Sequence, residues 1–251
     1  MSAETKTALI TGAAGGLGRA FAESLVAEGW RIVAVDRVEH GGDNVMHIAC
    51  DLADPLARER LLPAIVAAGP FDLVIHNAGV SATGAFSTIP AGAYQRLVQV
   101  NCEAPIVLTA ALMREKMIAS GGALLFIASL SHFTGYPGAA VYAATKDALV
   151  AYAASIRCAC AAMSVSVSVA YPGPLRTVHA ARHAPPDADE ARRMEPAVAA
   201  RLILDGAYAG RRTIVSGNLN RLYAIAGRLL PRVATMAMRR LIYERLSEAR
   251  W

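Results

Sequence analysis

The stretch "TALITGAAGGLGRAFAESLVAEG", residues 7–29, decides the fold. Residues 7–11 form a short apolar, β-branched run that reads as a strand, and a helical pattern begins at residue 17. The turn between them holds Gly12, Gly16 and Gly18. Gly12 permits the tight strand-to-helix turn, Gly16 lets the backbone approach a pyrophosphate, and Gly18 lets helix and sheet pack closely. Free N–H groups at the helix start, from Gly16 through Leu17 and Gly18, would then bind the phosphates.

Glycines also turn and cap chains that bind nothing, so the loop alone is a weak signal. Its context strengthens it: a strand precedes it, a helix follows, and Asp36 ends a second apolar run 18 residues past Gly18. No Lys follows the glycines, which argues against a nucleoside triphosphate site. A carboxylate at Asp36 accepts hydrogen bonds from both ribose hydroxyls of NAD and repels a 2′-phosphate. Arg37 would pair with that phosphate. NAD is expected ahead of NADP.

Apolar runs recur at 31–36, 45–50, 71–77, 123–129, 165–172 and 212–217, separated by helix-length segments at 17–29, 55–68, 92–118 and 142–163. Continuous apolar strands alternating with helices predict a parallel sheet of about seven strands covered on both faces, an α/β doubly wound architecture. Only eight residues, "RVEHGGDN", separate Asp36 from Val45, too few for a crossover helix, so that link is expected to be a loop.

The chain has 251 residues, 55% hydrophobic and 18% charged, which fits one globular domain with a large core. Its four cysteines show no disulfide framework and no C-x-x-C spacing. With no signal-peptide pattern and no apolar run long enough to span a bilayer, a cytoplasmic protein is expected.

A second stretch, "AVYAATKDALVAY" (140–152), places Tyr142 and Lys146 four apart on one helix face. Taken singly, these residues could be a core edge and a solvated charge. The pattern T-G-x-x-x-G-x-G together with Y-x-x-x-K resembles the short-chain dehydrogenase/reductase family, over roughly residues 6–217. That resemblance implies a Rossmann-type fold and a hydride-transferring oxidoreductase that interconverts a secondary alcohol and a ketone. It marks Asn101, Ser129, Tyr142 and Lys146 as catalytic. It seats adenine at Asp51 and Leu52, lines the cofactor cleft with Asn77, Ala78 and Gly79, and adds the Pro172–Gly173 turn with Thr177 placed to hold the nicotinamide amide. The family more often has N-N-A-G where this chain has "HNAG", so His76 is a departure.

The residue types carry the chemistry. A free tyrosine titrates near 10, and a neighbouring Lys146 ammonium is expected to lower that value. Ser129 would stabilise charge on the substrate oxygen. Asn101, by resemblance, holds a water linking Lys146 to solvent. Two other readings keep the fold without the reaction: a nucleotide-sensing binding protein and a membrane-surface adaptor.

His179 and His183 have a spacing that suits a metal, with Asp187 or Asp189 as a third ligand, but no metal is expected. They fall in the family's substrate lid, about 174–195, with Arg176 and Arg182; His132 and Tyr136 are placed to shape the pocket.

The tail departs most from the family. Residues 211–251 hold nine Arg against Glu244 and Glu248, a net +7, so the first 210 residues carry 5 − 7 = −2. Residues 218–251 are expected to be a helical extension of the 1–217 catalytic domain, with Pro231 starting a second helix. Ala234, Met238, Leu241, Ile242 and Leu246 would form one face. It would pack on the domain, on a partner subunit or on an anionic membrane surface. Nucleic acid binding is not expected. By resemblance the chain forms a homodimer or homotetramer through the helices at 92–118 and 142–163.

Overall fold

The computed structural model describes residues 5–39, 41–186, 188–246 and 248–251. Seven parallel strands form one sheet: β1 (Thr7–Thr11), β2 (Arg31–Asp36), β3 (Val45–Ala49), β4 (Phe71–His76), β5 (Ile118–Ile127), β6 (Ser166–Tyr171) and β7 (Thr213–Val215). Their order is β3-β2-β1-β4-β5-β6-β7. Chain order runs outward from β1 in one direction and from β4 in the other, so the crossovers part between β1 and β4. In a doubly wound sheet that switch point is where a ligand binds.

Alternation along the strands feeds two cores. Leu9, Val33 and Val35 face one side, packed with Leu61 and Ile65 of α2 (Pro55–Ala68), Leu108 and Leu112 of α4 (Ala104–Arg114) and Leu149 of α6 (Ala140–Ala162). Ala8, Ile10, Ile32 and Ala34 face the other, against Phe21 and Leu25 of α1 (Gly16–Ala27) and Ile203 of α8 (Pro196–Tyr208). This is the Rossmann-type α/β fold that the sequence predicts.

Three boundaries differ from expectation. The helix expected over 92–118 divides into α3 (Ala91–Val98), a π turn at Gln99–Glu103 and α4, and ends at Arg114. Pro105 has no N–H to give the Asn101 carbonyl, so the regular ladder is interrupted there. At the far end Lys116 takes φ 56° and the Met117 N–H returns to the Leu112 carbonyl, closing the helix. Strand β5 begins five residues before the expected 123, at Ile118, with its pairing to β4 shifted between Phe71 and Leu73.

The segment expected to form a lid carries the short helix α7 (Val178–Arg182). The tail forms α9 (Asn218–Leu229) and α10 (Pro231–Leu241), which rest on the short helix α5 (Ser131–Thr134). Ala234, Met238, Ile242 and Leu246 are half-buried, but Leu241 is exposed: a strict four-residue stripe faces the domain, and Leu241 falls off it.

Candidate active site

The glycine loop forms a cradle at the end of β1. Gly12 and Gly16 take φ 67° and 52°, a backbone region that L side chains rarely enter. A Cβ on Gly18 would lie 1.9 Å from the Gly12 carbonyl oxygen, so only glycine lets α1 approach the loop this closely. Asn77 fixes the cradle from the next strand, its Nδ2 donating to the carbonyls of Thr11 (3.2 Å) and Gly12 (2.9 Å). The Ala78 N–H donates to the Thr11 hydroxyl at 3.1 Å. A cleft opens beside these residues, lined by Gly12, Asp36, Arg37, Asp51, Leu52 and Gly79 among others.

The cradle fits a dinucleotide: bare backbone at a helix start, with a carboxylate at the end of β2. The Asp36 carboxylate already accepts from the N–H groups of Ala14 (2.9 Å) and Val38 (3.2 Å), which hold it in place. Asp51 accepts both oxygens' worth of bonding from Arg96 at 3.0 and 2.9 Å. Burial pushes the Asp51 carboxyl up, but the Ala53 N–H and the Arg96 guanidinium outweigh it and hold it below the usual carboxylate range. Leu17 is an exception among the expected contacts. Its side chain is buried in the core beneath α1, so only its main chain faces the cradle.

Ser129 lies two residues past β5, while Tyr142 and Lys146 stand near the start of α6. The structure brings these three together: Lys146 stands beside the Tyr142 ring, and the Ser129 side chain is near enough to act on the titration of the phenol. Lys146 is 3% exposed, its Nζ donates to the Ile127 carbonyl at 2.8 Å, and it lies 6.0 Å from the Tyr142 ring centroid. Burial pushes Lys146 down to about 8.

The expected lowering of the tyrosine is not met. Burial raises the Tyr142 phenol above its ordinary value, and the Ser129 side chain only partly offsets this. Burial therefore sets the direction, and the Lys146 ammonium, which donates to the Ile127 carbonyl, does not reverse it. Tyr136 stacks edge-on against Tyr142 at 6.1 Å.

Asn101 is fully buried in the π turn. Its Oδ1 accepts from the Val80 N–H at 2.8 Å, and its Nδ2 donates to the Val80 carbonyl (2.9 Å) and the Thr145 hydroxyl (3.1 Å). The side chain therefore fixes the loop after β4, next to Gly79. Thr177 caps α7, its hydroxyl accepting from the Ala180 N–H at 3.1 Å, and its methyl lies against Gly16. Gly173, expected at the cofactor, is packed against Asn220 of α9, whose Nδ2 lies 2.1 Å from where its Cβ would be.

His76 is buried, stacked on Phe126 at 5.0 Å and hydrogen-bonded through Nε2 to the Thr109 hydroxyl at 2.9 Å. Burial pushes it down to about 3, so it is neutral. His179 and His183 lie 4.9 Å apart, and His183 Nδ1 lies 3.2 Å from the Thr83 hydroxyl. Asp189 caps a turn through the Ala191 N–H (2.9 Å), and Asp187 lies outside the described residues. Among the described residues no group of side chains is arranged to hold a metal.

One part of the site is not visible from sequence reasoning. The chain end returns to it: Thr83 and Arg250 exchange backbone hydrogen bonds at 2.8 and 2.7 Å. Ala249 joins the apolar cluster that includes Val80, Val141 and Tyr142. Arg250 Nη1 donates to the Arg182 carbonyl at 2.9 Å, tying α7 to the tail. The readable marks were Gly84 and Gly138, at φ 135° and 90°, where a Cβ would strike Ala249 and Leu246.

With this geometry in hand, similarity to known proteins is informative. The 3-oxoacyl-[acyl-carrier-protein] reductase of Salmonella typhimurium is 31% identical over 186 residues, 70% of this chain and 76% of its own length. Dehydrogenase/reductase SDR family member 4 of Bos taurus is 27% identical over 187 residues, 69% of this chain and 67% of its own. In fold, a short chain dehydrogenase of Burkholderia cenocepacia J2315 in complex with NADP superposes with a TM-score of 0.78 at 22% identity, covering 95% of this chain and 99% of its own. The short chain dehydrogenase family pattern matches residues 6–187. The chain therefore belongs to the short chain dehydrogenase family and is an NAD(P)-dependent oxidoreductase acting on CH–OH groups.

Proposed function

We propose that this enzyme interconverts a ketone and a secondary alcohol, with Tyr142 as general acid and base, Ser129 holding the reacting oxygen and Lys146 holding the nicotinamide ribose. The observation that carries the reading is the juxtaposition of Tyr142 with Lys146, whose Nζ lies 6.0 Å from the Tyr142 ring centroid, with the Ser129 side chain acting on the phenol. Lys146 Nζ lies 3.1 Å from where a Gly79 Cβ would be, at the wall of the dinucleotide cleft. The bound dinucleotide supplies or takes up the hydride.

The chain's own residues handle the oxygen and its proton. Ser129 donates to the carbonyl oxygen and stabilises the charge that develops there. Tyr142, raised by burial, is protonated at neutral pH and gives that oxygen a proton. The resting state thus suits reduction, and oxidation requires the phenolate. Pro105 has no N–H for the Asn101 carbonyl, and in this reading that carbonyl holds a water through which Lys146 exchanges protons with solvent. The naming of relatives as 3-oxoacyl reductases supports a ketone as the oxidised substrate. A pure nucleotide sensor or adaptor would need neither Ser129 nor Tyr142.

For the cofactor, the two charges beside the cleft oppose one another. Asp36 is half-buried and fixed by two N–H groups, whereas Arg37 is exposed. A fixed carboxylate repels a 2′-phosphate more effectively than a mobile guanidinium attracts one, so the reading favours NAD(H). The NADP(H)-bound structures of similar fold lean the other way, at 22% and 23% identity. Residues 1–217 form the catalytic unit in this reading and 218–251 an extension folded back on it. A homo-oligomer is supported by the exposed small residues Ala144, Ala151 and Ala154 on α6 beside Val107 on α4.

The test is absorbance at the nicotinamide band with purified protein, NADH or NADPH, and a panel of ketones. Turnover with NADH that is lost in Tyr142→Phe supports the reading. Cofactor binding with no turnover on any ketone or alcohol would overturn it, and faster turnover with NADPH would overturn the cofactor preference.

A further inference from the structure

The outer surface of the tail helices has a composition that the redox reading does not require. Helix α9 packs inward through Asn220, Ala224 and Gly227. Gly227 is forced by proximity, since a Cβ there would lie 2.3 Å from the Phe133 carbonyl oxygen. The opposite face, turned to solvent, carries Leu219, Leu222, Ile225 and Leu229 at 62, 61, 56 and 74% exposure. Tyr223 extends that face, and Val233 and Met236 of α10 are exposed as well. Here the polar face of an ordinary surface helix is replaced by leucine and isoleucine.

Cations border this surface. On α9, Arg221 donates to the Val215 carbonyl at 3.3 Å and Arg228 lies over the Phe133 ring at 5.0 Å, so the cations of the outer surface are Arg232, Arg239 and Arg240 of α10. Arg239 pairs with Glu244 at 2.9 Å, while Arg232 and Arg240 have no acidic partner among the described residues. An exposed apolar patch of this kind marks an interaction surface. Its charge selects the partner. A second copy of the chain meeting it across a two-fold axis would bring the same arginines against one another. A surface that is apolar inside and anionic at its rim complements both features.

We propose that α9 and α10 dock on an anionic lipid surface, the exposed leucines entering the headgroup boundary and the arginines pairing with phosphates. No helix among the described residues is long and apolar enough to cross a membrane, so the contact is peripheral. Both helices rest on α5, which follows Ser129 by two residues. The docking helices therefore pack on the segment that directly follows Ser129. This inference is independent of which ketone the enzyme reduces.

The test is flotation of the full chain with vesicles of phosphatidylcholine alone, or with roughly a third phosphatidylglycerol. The expected result is binding to the anionic vesicles, weaker binding to neutral ones, and partial release by salt. Leu222→Gln with Leu229→Gln, and separately Arg232→Gln with Arg240→Gln, each weaken partition about tenfold or more, with thermal unfolding and nicotinamide cofactor binding unchanged. Absence of wild-type binding to anionic vesicles overturns the proposal. So does a change in solution mass on Leu222→Gln with Leu229→Gln while vesicle binding stays intact, which would assign the surface to a second copy.

Discussion

Lys146 Nζ donates to the main-chain carbonyl of Ile127 at 2.8 Å, two residues before Ser129. The end of β5 thus positions both Lys146 and Ser129, the two proposed to serve Tyr142, one by hydrogen bond and one by sequence. Holding an ammonium in this place has an energetic cost that pH reveals. Burial lowers Lys146 to about 8 from 10.5, so between those values the unfolded chain binds more protons than the folded one. Stability from this group therefore rises with pH through that window, and below pH 8 the penalty is full. At about 1.4 kcal/mol per unit the contribution is on the order of 3 kcal/mol. In Lys146→Met, urea midpoints between pH 8 and 9.5 lose this upward slope. An unchanged slope would show that the ammonium is not buried as described.

In the proposed reaction, Tyr142→Phe removes the proton that is transferred to the substrate oxygen. Loss of a positioned acid costs about 10²–10⁴ in rate. The reductive kcat falls by that order while dinucleotide binding, measured by nicotinamide fluorescence, is retained. Because burial raises the wild-type phenol, the direction of pH dependence is also set. Reduction declines as the phenol ionises at high pH, and alcohol oxidation climbs over the same range. Opposite slopes in the two directions are the readout; parallel slopes would remove Tyr142 from the proton path.

The cofactor half of the site was legible because its chemistry depends on backbone. Gly12, Gly16 and Gly18 are demanded by φ and by close approach, which single residue types announce. Asn101 and Lys146 were legible by pattern, but their partners were not. Val80 and Ile127 contribute main-chain groups, and no side-chain code records those. The tyrosine's direction of shift was misread because the i,i+4 spacing gives proximity to the ammonium, while burial of the phenol sets the direction. The tail's return to Thr83 left only Gly84 and Gly138 as marks, because a bridge between residues 83 and 250 is a long-range pairing that apolar periodicity does not report.

His76 makes the fold sensitive to acid. Its pKa drops from 6.5 to about 3 on burial, so as pH falls through that interval the unfolded chain gains a proton that the folded chain refuses. Stability is lost progressively with acid, by roughly 3 kcal/mol at two pH units below 6.5. Asn in this place keeps a donor and an acceptor for Thr109 and does not titrate. His76→Asn accordingly shows a shallower fall in unfolding temperature from pH 7 to 4.5. His183, pushed down to about 4 chiefly by burial, contributes with the same sign and leaves a residual slope.

Gly173 and Asn220 test whether the tail is structurally part of the catalytic domain. A Cβ on Gly173 would stand 2.1 Å from Asn220 Nδ2 and 2.5 Å from its Cγ, and that amide in turn donates to the Ser216 carbonyl at 2.6 Å. Neither group is the free end of a flexible chain. Gly173→Ala must therefore push α9 away from the turn that follows β6, at about 1–3 kcal/mol for overpacking of this kind. Asn220→Ala alone deletes one buried hydrogen bond, worth about 1 kcal/mol. In the double variant the space vacated by the amide accepts the new methyl. Its stability in urea is then higher than the sum of the single losses allows, a coupling of about 1 kcal/mol or more. Strict additivity would mean that the helix does not rest on this glycine.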